Sequence, residues 1–207
     1  MMVFFTRYYK KTNIFLRASL LLVLLGVFSL AFAAANSIVI KQAELEAIDD
    51  YYALNAEVEI NLDEEIEEAV KKGVPLNFLI EFQIVSPRQY WFDDEIVTIS
   101  QNITLSYHAL SRQYLVNRGP HQKSFETLIE AKEELAQLID WKVLDKSLIE
   151  KGAVYKAALL IRLDETKLPK AIQVDAIASE KWNLTSQKFE WQLKEVGKEL
   201  INKEPAK

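Results

Sequence analysis

A mainly β, α+β fold, an antiparallel sandwich-like body with two packed helices, is what this sequence predicts, and two long alternations carry most of that prediction. Leu76, Phe78, Ile80, Phe82 and Ile84 share one side of an extended segment, opposite Asn77, Glu81 and Gln83. Val97, Ile99, Ile103, Leu105, Tyr107 and Ala109 share one side of a second, where Gln101 alone breaks the apolar row. Successive side chains of a strand point to opposite faces, so a period of two over this length means antiparallel strands with one face on a core. The expected centre is therefore a hairpin of Leu76–Val85 and Glu95–Ala109. A third observation is the run Ala153 to Leu163, apolar on both sides, which needs cover on both faces and belongs mid-sheet.

Taken in order, the first 35 residues carry Arg7, Lys10, Lys11 and Arg17 and no acid. From Ala18 to Ala35 the chain is apolar apart from Ser19 and Ser29. A basic segment, a Leu-rich run and a small-x-small exit describe a secretory signal peptide, cleaved after Ala33 or after Ala35. Left uncleaved, the same run is an N-terminal anchor helix, with residues 14–35 contacting the inner membrane. Basic residues hold that end in the cytoplasm either way, so Asn36 onward is expected in the periplasm.

Residues 36–193 read as a single β-rich domain. Ser37–Ile48 and Tyr52–Ile60 form a hairpin around Asp49 and Asp50. Leu62–Lys72 is the best helix, with acids in its first turn, Lys71 and Lys72 in its last, Gly73 placed for a left-handed cap and Pro75 stopping continuation. Ser124 can cap a second helix over Phe125–Ile139. Pro169 forces Leu168 out of helical geometry. Ile172–Ala178 and Ser186–Leu193 alternate as two further strands, and residues 194–207 read as a frayed tail.

Composition narrows the chemistry. The chain has no Cys, which removes disulfides, thiolate metal sites and thiol catalysis. Without the four N-terminal cations the body holds 21 basic and 30 acidic residues, a net of −9. A nucleic acid is repelled by that balance, so no nucleic-acid partner is expected. The glycines do not cluster, which leaves no phosphate-cradling loop, no dinucleotide fingerprint and no G-x-S-x-G elbow. His108 and His121 are isolated, so no metal, cofactor or catalytic residue is expected.

Two stretches stand out for binding. The first is Tyr90-Trp91-Phe92-Asp93-Asp94-Glu95, where Trp91, Asp93, Asp94 and Glu95 make an aromatic-acidic loop between the central strands. Consecutive carboxylates cannot face each other across a cleft, which argues against a hydrolase. The second is Arg112, Gln113 and Tyr114. Apolar positions are odd up to Ala109 and even from Leu110, so a bend, bulge or new strand falls at Leu110-Ser111. The new phase places Arg112 on the apolar side, where its charge needs an internal acceptor or an anion from a partner.

With those segments in view, the chain resembles an exported proteobacterial family known as domain of unknown function 4390. The resemblance runs through Tyr90-Trp91 to Glu95, Leu105 to Tyr114, Leu168 to Val174 and Trp182-Asn183-Leu184, with Ala171 where the family pattern has Pro. It implies a cell-envelope protein without assigned activity, in an accessory role beside a membrane sensor kinase. The expected function is thus a non-enzymatic interaction or signalling-accessory module with an envelope protein partner. The alternative is a periplasmic carrier of a small lipid or peptide.

Overall fold

A computed structural model describes the backbone of residues 37–203 apart from Trp91, Lys151, Ser179, Gly197 and Lys198, and the side chains of these except residues 175–178, 180, 195, 196 and 199–203. Residues 1–35, expected as a signal or anchor segment, lie outside the described residues, as do 204–207. Asn36–Lys207 form one compact unit.

Its frame is two antiparallel sheets. The smaller has the order β1-β2-β7, from Ser37–Ile48 (β1), Tyr51–Asn61 (β2) and Gln137–Asp145 (β7). The larger has seven strands: Leu76–Ser86 (β3), Asp94–His108 (β4), Gln113–Arg118 (β5), His121–Phe125 (β6), Val154–Leu163 (β8), Phe189–Val196 (β9) and Glu199–Lys203 (β10). Their order is β10-β9-β8-β3-β4-β5-β6. The expected central hairpin is there, with Leu76 opposite Leu105 and Ile84 opposite Val97. The doubly apolar β8 lies inside the sheet, between β3 and β9.

Periodicity explains the core. Leu76, Phe78, Ile80, Phe82 and Ile84 of β3 are all buried, as are Tyr155, Ala157, Leu159, Ile161 and Leu163 of β8. In β1 the buried positions change from Ile38 and Ile40 to Ala43 and Leu45, because a bulge at Lys41 shifts the register and reverses the facing. The two sheets meet where Phe82 of β3 lies edge-on to Trp141 of β7, with 6.4 Å between ring centroids.

Three α-helices occur among the described residues, one more than expected. In α1, Glu64–Lys71, the Asp63 side chain accepts from the Ile66 amide at 2.9 Å, and Ile66 and Val70 are buried. Gly73 follows at φ +93°, in the left-handed region the sequence called for. The second, α2, spans Leu128–Ala136 rather than Phe125–Ile139. Its cap is Thr127, in a reciprocal capping box with Glu130. Ser124 and Phe125 end β6, and Leu138 and Ile139 open β7.

Ile172–Ala178, expected as a strand, belongs to α3, Lys170–Ala178. Leu168 is extended at φ −67°, ψ 152°, as Pro169 requires. Pro169 then starts the helix, its carbonyl accepting from the Ile172 and Gln173 amides, and the Gln173 side chain ties back to the Thr166 and Leu168 carbonyls. The segment after α3 zips along β8: Leu163 donates to the Leu184 carbonyl, and Ser186 exchanges backbone and hydroxyl bonds with Ile161. The chain just beyond Leu193, expected as a frayed tail, is instead paired. β9 continues to Val196, and β10 pairs back on it from Glu199 to Lys203.

Candidate functional site: a clasped aromatic hairpin tip

The β3–β4 connection is the site that the fold builds most deliberately. Ser86 pairs with Asp94, so residues 87–93 form the loop at the end of the central hairpin. Two residues beyond Asp94 of that closing pair, Ile96 is an extra residue in β4, a bulge that bends the strand as it leaves the tip. Arg88 clasps the loop at its base: its amide donates to Asp93 Oδ1 at 3.2 Å, and its guanidinium pairs with Asp94. Above this clasp Tyr90 is 89% exposed and Phe92 85% exposed. Trp91, between them, lies outside the described residues. Asp93 and Glu95 are exposed. The loop is expected as aromatic and acidic, and the structure exposes both kinds of side chain there.

The Arg112 site does not assemble. The phase change at Leu110 is a four-residue turn, Ala109–Arg112, between two strands, so Arg112 does not follow Leu110 along an apolar face. Leu110 is 93% exposed, and Arg112 is exposed at φ +56°. Gln113 is half-buried at the start of β5, whereas Tyr114 is buried with its ring 4.9 Å from that of Tyr107. The three side chains do not converge. The guanidinium that does enter the inner side is Arg118, which continues the even phase of Tyr114 and Val116.

Arg118 Nη2 donates to the Gln137 carbonyl at 2.7 Å and to the Glu134 carbonyl at 3.3 Å, closing the C-terminus of α2. Burial lowers its pKa from the ordinary arginine value, opposed by the charge of Glu134. Around it, Val116, His121, Lys123, Glu134, Gln137 and Ile139 line an open notch of about 260 Å³. Lys123 and Glu134 bond each other across it at 2.8 Å, so its charges are largely spent within the protein. The notch is a structural joint between β6, α2 and β7.

One nucleophile–base contact appears that the sequence did not suggest. His108 Nδ1 lies 2.9 Å from Ser111 Oγ, but the Ser111 amide also donates to Nδ1 at 3.3 Å, and both residues are exposed. This is a local closure of the β4–β5 turn, and among the described residues no third group is bonded to the imidazole to orient it. Among the described residues, no group of three His, Asp or Glu is placed to hold a metal. No described helix is long and apolar enough to cross a membrane.

The sequence profile of the family described as Domain of unknown function (DUF4390) matches residues 35–192. The chain belongs to that family. No curated protein and no solved structure matches it. The DUF4390 match spans both sheets from β1 into β9 and includes the hairpin tip.

Proposed function

We propose that this DUF4390 protein is a non-enzymatic binding module of the cell envelope, exported to the periplasm, that docks on a protein partner through the β3–β4 tip. The observation that carries the reading is the clasped loop with Tyr90 and Phe92 almost fully exposed. Aromatic rings supply the largest contact energies at protein interfaces, and a loop already held in shape loses less entropy on binding. Export is supported by the basic, then apolar, then small-residue order of residues 1–35. A membrane sensor kinase is the partner class that the family resemblance suggests.

Carriage of a small lipid or peptide needs apolar space between the layers. The largest fully buried side chains, Tyr52, Tyr155, Phe78 and Phe82, occupy the core there, which favours a surface role. The reading is tested by affinity capture from crosslinked envelopes with the parent and with the Tyr90→Ser/Phe92→Ser double variant. The variant should melt with the parent, since neither ring is packed, yet lose the proteins that the parent captures. A variant that melts like the parent and retains all of them refutes the reading.

A further inference from the structure

Charge at the tip says what kind of surface receives it. From Ser86 to Glu95 the sequence carries one cation, Arg88, and three carboxylates, Asp93, Asp94 and Glu95, a net of −2. The Arg88 guanidinium is paired with Asp94, and the Arg88 amide donates to Asp93, so the cation is engaged within the loop. Asp93 and Glu95 are exposed and lie within three residues of Phe92 in sequence, so a surface that covers Tyr90 and Phe92 meets these carboxylates at its edge. A covered carboxylate without a partner costs several-fold more than the ring contacts return, so the receiving surface has to supply cations.

Two occupants compete for an exposed aromatic loop. Bilayer interfaces accept aromatic rings, but a lipid surface with anionic headgroups repels a loop of net −2 and offers its carboxylates no fixed donors. A protein pocket can combine an apolar floor with a basic rim. We infer that the partner's receiving site is an apolar pocket rimmed by lysine or arginine side chains, with Tyr90 and Phe92 as anchors and Asp93 and Glu95 as the groups that meet the rim. This rests on the reading that the tip docks on a protein.

The experiment replaces Phe92 in the full-length exported chain with the photoreactive aromatic p-benzoylphenylalanine and illuminates intact envelopes. The adduct is digested and its crosslinked peptide sequenced. The expected adduct is to one protein, at an apolar residue with lysine or arginine beside it. Its yield should fall several-fold as salt is raised past the point where the screening length drops to a few ångströms, and should fall similarly in a Glu95→Lys background, which leaves the Arg88–Asp93 clasp intact. A protein adduct at a site without basic residues, unaffected by salt or charge reversal, overturns the basic rim and leaves docking intact. Adducts to lipid, or none to any macromolecule, overturn the docking reading itself and the rim with it.

Discussion

Ile103→Asp should leave no folded body. Ile103 is fully buried in β4, paired with Phe78 on one side and on the other with Arg118, whose guanidinium is already committed to the Glu134 and Gln137 carbonyls. A carboxylate there is cut off from water, at a cost of at least several kcal/mol. That is comparable with the total stability of an ordinary domain, about 5–15 kcal/mol. The expected result is loss of the cooperative melt and of soluble yield. Tyr107→Asp, further along the same face of β4, is the informative comparison. The sequence alone places Tyr107 inside, but it is half-buried with its ring tilted against that of Tyr114 near the strand end, so its substitute reaches water and the variant should fold with a lowered melting temperature. An Ile103→Asp protein that melts with the parent contradicts the facing of the central strand.

Phe82→Ala should be the most damaging truncation. Phe82 is fully buried, edge-on to Trp141 of the small sheet and 6.1 Å from the Trp191 ring of the large one. Removing its ring opens a cavity where the two layers meet. Buried Phe to Ala costs about 3–5 kcal/mol. At about 2–4 °C per kcal/mol for a body of this size, the melting temperature should fall by roughly 10 °C. Phe92→Ala, exposed at the tip of the same hairpin, should shift it by no more than a degree or so, within the scatter of surface substitutions. Equal shifts for the two variants contradict the layering.

These contrasts show what was legible in the sequence. Strands were readable wherever a period of two ran unbroken, as in β3 and β4, because only one facing puts Leu76 to Ile84 on a core. Helix limits were less so. Phe125 and Ile139 extended the apolar stripe of α2 past its true ends, although Thr127 and Glu130 already carried its capping box. In α3, the alternation of Ile172 with Val174 imitated a strand, and the helix start set by Pro169 prevailed. β10 was hidden because Leu200 and Ile201 sit in a charged tail, and it is pairing with β9 that makes the segment a strand.

The binding site was legible in part. Residues 90–95 read as an aromatic-acidic loop between the central strands, and the fold adds how far Tyr90 and Phe92 stand out of it. The arginine was misplaced by six residues. A phase change at Leu110 has several structural solutions, and a turn puts Arg112 in water while Arg118 inherits the inner face. Extending the even phase one step past Val116 would have found it.

The central claim is that the β3–β4 tip is covered by a partner outside the cytoplasm, and site-specific labelling tests it most directly. The chain has no native Cys, so a single introduced thiol is a unique reporter. Gln89→Cys places it beside the aromatic rings while leaving them intact, and Leu110→Cys places it on the exposed turn at the other end of β4. Both thiols should react equally fast with a membrane-impermeant maleimide in the purified protein. In intact envelopes opened to the periplasm, Leu110→Cys should keep its rate and Gln89→Cys should slow severalfold, with its rate restored by Tyr90→Ser/Phe92→Ser. Equal, undiminished rates at both positions in the envelope contradict a docked tip, and no labelling of either contradicts export.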